Sequence, residues 1–283
     1  MSPVINALDL AERLSSPDIA VVDCRFALAD TERGFREYQE RHIPGAVYAH
    51  LDRDMSGPLA GDGTGGRHPL PSVAAFSATL GRLGIRRDQE IAIYDQDTGM
   101  FAARLWWMLR WVGHPKPVRV LNGGIESWLS AELPVEAGVV EKEPVEYDGS
   151  ANDGLLVSLE EVERAVGDPS YLLLDARGES RFRGDNEPLD RAPGHIPGAV
   201  NRPFRMNLDG TSKLRDAGQL ADEFGATMAD ISPDKRIFYC GSGVSACHNL
   251  LALEASGLGS ARLYVGSFSE WSADPSRAIE TGD

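Results

Sequence analysis

Short apolar runs alternate with stretches of helical periodicity along this chain. Val21-Val22, Ile91-Ala-Ile-Tyr94, Leu173-Leu174 and Ile237-Phe238-Tyr239 read as strands. Ser158-Leu-Glu-Glu161 forms a capping box ahead of the apolar positions Leu159, Val162 and Val166, so a helix starts there. Ser72 caps a second helix that carries Val73, Phe76 and Leu80 on one face. Strands alternating with helices predict an α/β fold, with a mainly parallel sheet flanked by helices.

The pattern is written twice. His42-Ile-Pro-Gly-Ala-Val47 recurs as His195-Ile-Pro-Gly-Ala-Val200, in each case a turn followed by a strand. Ahead of the copies lie Val21-Val22-Asp23-Cys24-Arg25 and Leu173-Leu174-Asp175-Ala176-Arg177. Beyond them come the strands ending in Tyr94-Asp95 and Tyr239-Cys240, then Gly123 to Trp128 and Gly266 to Trp271. Markers repeated in one order indicate a duplication and two domains of one fold, expected at 1–135 and 154–283. Residues 136–153, rich in Glu, Gly and Pro without sustained periodicity, are expected to link them.

Composition narrows the partners. The chain has 283 residues, enough for two domains, with 42% hydrophobic and 25% charged residues, as in a soluble globular protein. The formal net charge of −15 argues against nucleic acid or an anionic membrane as a standing partner. No apolar run is long enough to span a membrane, and the first ten residues lack a signal-peptide pattern. Three cysteines do not make a disulfide framework, and a cytoplasmic location is expected. Neither zinc-ligand spacing nor a phosphate or dinucleotide loop is present, so no metal or organic cofactor is implied.

The candidate chemistry sits at Cys240, which a strand delivers into Gly241-Ser242-Gly243-Val244-Ser245-Ala246. The two glycines let the backbone curl, aiming successive N–H groups at one spot. A helix beginning near Val244 adds the positive end of its dipole. Both effects favour a thiolate, the nucleophilic form of cysteine. In the first half the aligned residue is Asp95, which cannot accept a sulfane sulfur, so one working site per chain is expected. Trp106, Trp107 and Trp111 read as packing residues rather than a ligand box. Cys247 reads as a packed thiol and Cys24 as chemically idle.

The Cys-Gly-Ser-Gly-Val loop resembles the active-site loop of rhodanese-type sulfurtransferases, in the form associated with 3-mercaptopyruvate sulfurtransferases. Thiosulfate-using rhodaneses typically carry an Arg-Lys pair where this chain has Gly241 and Ser242. Related cysteine phosphatases need an arginine where this chain has Ala246 or Cys247, which excludes that reading. The resemblance covers essentially the whole chain and implies tandem rhodanese-like domains, with Cys240 as the sulfur-carrying nucleophile. It implies that Arg181 and a second arginine, Arg191 or alternatively Arg183, hold the substrate carboxylate and ketone. A guanidinium fork suits a carboxylate better than an ammonium does. It further implies that Gly241, Gly243, Val244 and Ser245 line the persulfide cradle. A proton relay of Ser242, His68 and Asp52 is also implied, with two members drawn from the first half, so that the site falls between the domains. The implied donor is 3-mercaptopyruvate, and the implied acceptor is a thiol such as that of thioredoxin, or cyanide. The alternatives are a thiosulfate sulfurtransferase using the same cysteine and a persulfide carrier or regulatory module without small-molecule turnover.

Overall fold

The apolar runs form two separate, wholly parallel sheets, each flanked by helices, in a computed structural model that describes residues 2–228 and 230–283. The first half runs β1 (Val4–Ile5), α1 (Ala7–Ala11), β2 (Ile19–Asp23), α2 (Arg33–Glu40), β3 (Val47–Tyr48), α3 (Leu51–Asp54) and α4 (Val73–Arg82). It continues with β4 (Glu90–Tyr94), α5 (Met100–Trp111), β5 (Val118–Leu121) and α6 (Gly124–Ser130). The second half runs α7 (Leu159–Ala165), β6 (Leu172–Asp175), α8 (Glu179–Arg183), β7 (Val200–Asn201) and α9 (Ala217–Met228). After these come β8 (Arg236–Tyr239), α10 (Ser245–Ser256), β9 (Arg262–Leu263) and α11 (Ser267–Trp271).

The sheet orders are β1-β5-β4-β2-β3 and β7-β6-β8-β9, so the second repeats the first without its edge strand. At that edge Leu156 forms an isolated bridge with Leu263. The duplication extends to register: Asp23 pairs with Tyr94 as Asp175 pairs with Tyr239. Each aspartate is buried and holds the arginine two residues on, Arg25 or Arg177, at 2.7 Å. Each tyrosine hydroxyl accepts the amide of the isoleucine in the His-Ile-Pro-Gly turn, Ile43 at 3.2 Å and Ile196 at 3.3 Å. The repeated histidines are structural: His42 exchanges backbone hydrogen bonds with Glu136, as His195 does with Glu280. Glu136 therefore closes the first unit as Glu280 closes the second.

Both helices read from capping signals form. Ser72 accepts the amide of Ala75 at 3.2 Å, and Ser158 that of Glu161 at 3.3 Å. Helix α7 stops at Ala165, one residue short of the apolar pattern, because Val166 turns extended ahead of Gly167. Trp106, Trp107 and Trp111 are buried along α5.

The two units are not the two halves of the chain. The first comprises the chain up to Ser56, Pro71–Asn152 and Asp209–Leu214, so the expected linker residues 136–152 fall within it. The second comprises Gly57–Leu70, Asp153–Leu208 and Arg215–Asp283. Each half thus gives up a segment that follows the strand after its His-Ile-Pro-Gly turn, β3 or β7. In the first unit, Leu214 N–H bonds Asn122 Oδ1 at 2.7 Å and Ser212 Oγ donates to Asp97 at 3.3 Å. In the second, Gly66 approaches Gly266 so closely that a Cβ would lie 2.3 Å from its carbonyl oxygen. Only glycine fits there.

Candidate active site

Strand β8 ends at Tyr239, and Cys240 follows as the first residue of the turn into α10. Gly243, at φ 72°, reverses the chain so that Val244 can open the helix. No side chain caps α10, and the Ala246 amide of its first turn is turned to the sulfur. Cys240 is 2% exposed, and burial alone pushes its thiol up. Hydrogen bonds from the Ser245 hydroxyl and from the amides of Ala246 and Ser242 outweigh that burial and hold the thiol below its ordinary value. The loop thus stabilises a thiolate inside the fold.

Helix α11 braces this loop. Phe268 N–H donates to the Cys240 carbonyl at 3.0 Å, and Ser269 N–H to the Gly241 carbonyl at 2.9 Å. The same helix carries the segment 65–68: Gly65 N–H bonds Glu270 at 2.7 Å, and Arg67 N–H bonds Ser269 Oγ at 3.1 Å. His68 consequently meets the loop, its Nδ1 lying 2.8 Å from Ser242 Oγ. His68 and Cys240 belong to one unit, although they come from different halves of the sequence. Asp52 stands on α3 of the first unit, its amide donating to His50 Nδ1 at 3.1 Å.

Helix α8 presents Arg181. A Cβ built on Gly241 would lie 3.3 Å from Nη1 and Nη2 of Arg181 and 2.7 Å from Nη2 of Arg67. Two guanidinium groups therefore stand beside the residue that follows Cys240. Arg181 grips Glu187 through Nε and Nη2, at 3.0 and 2.8 Å, and reaches Asp190 at 2.6 Å. Arg67 pairs with Asp190, and Arg177 reaches Glu187 at 3.2 Å. Arg191 is exposed and donates to the Ala273 carbonyl at 2.9 Å, while Arg183 pairs with Asp283 at 2.9 Å. The second cation beside the cysteine loop is thus Arg67, which no motif in the sequence singles out. The side chains of Glu187 and Asp190, in the loop after α8, are buried among these arginines.

The other cysteines are placed differently. Cys247 Sγ donates to the Gly243 carbonyl at 3.3 Å inside α10. Burial and the charges of Asp23, Asp95 and Asp54 push the Cys24 thiol well up, leaving it a poor nucleophile. In the first unit, Asp95 fills the place equivalent to Cys240. Its carboxylate accepts the amides of Gly99 at 2.8 Å, Phe101 at 2.9 Å and Ala102 at 3.4 Å. The anion cradle is present in both units, but in the first a side-chain carboxylate occupies it.

The repeated fold has a direct counterpart among known proteins, because the pattern of the rhodanese-like domain matches residues 6–131 and again 158–274. The chain belongs to the rhodanese-like domain family. Over 99% of its length it is 44% identical to the Pseudomonas aeruginosa protein named "Probable 3-mercaptopyruvate sulfurtransferase", covering 98% of that protein. It is 34% identical to the thiosulfate sulfurtransferase of Rattus norvegicus, over 96% of this chain and 93% of the relative. The crystal structure of the 3-mercaptopyruvate sulfotransferase SseA from Escherichia coli superposes with a TM-score of 0.81 at 33% identity. That match covers 95% of this chain and the whole of SseA. Both rhodanese-like domains here keep the strand–cradle–helix element, and only the second arms it with a thiol.

Proposed function

We propose that this protein is a 3-mercaptopyruvate sulfurtransferase working through a persulfide on Cys240. The observation that carries the reading is a thiolate cradle with a guanidinium, that of Arg181, set beside it. The Cys240 thiolate attacks the thiol sulfur of the substrate. As the new S–S bond forms, the C–S bond breaks and its electron pair passes to carbon as the enolate of pyruvate. The proton of the substrate thiol, carried to that carbon, completes pyruvate, and Cys240 retains an anionic persulfide. The Ser242–His68 pair is the proton route at hand, with Asp52 as the expected third member. The amides of the loop then stabilise the persulfide as they did the thiolate. An acceptor thiolate such as that of thioredoxin, or cyanide, attacks the outer sulfur and returns Cys240 as thiolate. Arg181 orients the substrate carboxylate, with Arg67 taking the part expected of Arg191. Among the described residues no helix is long and apolar enough to cross a membrane, in keeping with the proposed cytoplasmic location.

One observation favours a second reading, thiosulfate sulfurtransfer. The guanidinium of Arg67 fills the space into which a side chain at position 241 would grow, where thiosulfate-using relatives typically carry a cation. The deciding experiment is steady-state kinetics of the wild type and Cys240→Ser with each donor, following thiocyanate from cyanide. A preference for mercaptopyruvate that the substitution abolishes supports the proposal. A preference for thiosulfate overturns the donor. Failure with both donors leaves a persulfide carrier or regulatory module.

A further inference from the structure

We propose that Asp190 sets the donor preference of the Cys240 site by cancelling the charge of Arg67. This inference rests on the sulfurtransferase reading above. Beside the cysteine loop, the guanidinium groups of Arg67, Arg177 and Arg181 face the carboxylates of Asp175, Glu187 and Asp190. Asp175 holds Arg177, Glu187 holds Arg181, and Asp190 joins Arg181 to Arg67. Cations and anions balance in this group. The side chain of Asp190 is 0% exposed, so no solvent screens it, whereas that of Arg67 is 30% exposed and faces the cysteine loop.

Each guanidinium keeps donors beyond those its carboxylate occupies, so both arginines can still hydrogen-bond a substrate. What the carboxylates remove is net positive charge. Mercaptopyruvate brings one negative charge, on its carboxylate, to a site that already holds a thiolate. Thiosulfate brings two, and the balanced group offers nothing to offset the second. Discrimination by a built-in repulsion of this kind is a general route to specificity. Asp190 is the member suited to the task. Glu187 also accepts the loop amides of Leu189 and Asp190 at 3.0 Å and so shapes the loop itself. Asp190 acts on the substrate only through the arginines, as a positioning residue.

The test compares kcat and KM of the wild type, Asp190→Asn, Arg67→Gln and the double variant with both donors and cyanide as acceptor. Asp190→Asn is expected to raise kcat/KM for thiosulfate relative to mercaptopyruvate by about tenfold, equivalent to about 1.4 kcal/mol. Most of the change is expected in the KM for thiosulfate. Adding Arg67→Gln removes the uncancelled cation and should return the ratio to the wild-type value. A merely structural role of Asp190 would depress both donors together, leave the ratio within about twofold, and sink the proposal. A shift that survives in the double variant also overturns it, because the charge would then act through something other than Arg67. If Asp190→Asn fails to fold by circular dichroism, Glu187→Gln removes a charge from the same group. An unchanged donor ratio in that variant is equally fatal. If the wild type turns over neither donor, the sulfurtransferase reading fails and this inference falls with it. Turnover of mercaptopyruvate with an insensitive ratio removes the inference alone.

Discussion

Ser242 Oγ and His68 Nδ1 stand 2.8 Å apart, joining the cysteine loop to a segment that lies far from it in sequence. A hydroxyl and an imidazole at this distance can pass a proton between them, which is the part the proposed reaction gives them. His68→Ala and Ser242→Ala are each expected to lower kcat with mercaptopyruvate about a hundredfold, the lower range for loss of general acid–base catalysis. Their KM values should move much less. A double variant no worse than either single one shows that the two act as a unit, whereas multiplicative losses would separate them.

Ser245 supports the thiolate directly, and Ser245→Ala removes its hydroxyl while leaving the loop amides in place. A hydrogen bond to a charged group contributes about 1.5 kcal/mol or more, so the Cys240 thiol should titrate at a pH higher by about one. Thiolate absorbance followed against pH measures this, with Cys240→Ser as the blank. An unmoved titration would assign the cradle to the backbone alone.

Arg181 presents a planar fork, and lysine does not replace one. Arg181→Lys is expected to raise the KM for mercaptopyruvate about tenfold, with a smaller change in kcat. Arg191→Ala should leave both parameters near their wild-type values, since that side chain is exposed and turned to the Ala273 carbonyl. The reverse ranking of the two variants would restore Arg191 as the second substrate-binding arginine.

The buried Arg177–Asp175 pair and its first-unit copy, Arg25–Asp23, hold the sheet ends that feed the two loops. Removing one partner strands a buried charge, so Arg25→Met should destabilise the protein by about 3–5 kcal/mol. Chemical denaturation reads this without reference to activity, because Arg25 lies in the unit that does not contain Cys240.

Asp95 gives a pH signature. Burial raises its carboxyl to about 6, against the loop amides that lower it. A carboxyl raised in the folded state stabilises fully below its unfolded value of 3.8, and the stability is lost as pH rises through about 6. Over that window the wild type should lose roughly 3 kcal/mol relative to Asp95→Asn, since a tenfold change in proton affinity is worth about 1.4 kcal/mol. Denaturation curves of both proteins from pH 4 to pH 7 measure the difference. Parallel profiles would show that Asp95 does not titrate there.

What the sequence made legible was local. Strand, cysteine, glycine turn and helix follow one another within a few residues, so the cradle around Cys240 could be read from order alone. The duplicated His-Ile-Pro-Gly turns and the Asp-x-Arg pairs likewise marked one fold used twice. The second cation was hidden because the approach of Arg67 to Gly241 joins distant segments and leaves no periodic trace. The burial of Glu187 and Asp190 was hidden for a related reason. An acidic loop reads as a solvated one until the arginines that enclose it are placed. Glu136 escaped notice as a closing residue because its only visible context was a run of Glu, Gly and Pro.

The exchange of segments 57–70 and 209–214 between the units has a consequence for heredity. A stretch of gene encoding 154–283 would carry Cys240 but neither Arg67 nor His68, so it would not encode the whole of the second unit. Deleting the stretch that encodes the first half would therefore also take away part of the second unit.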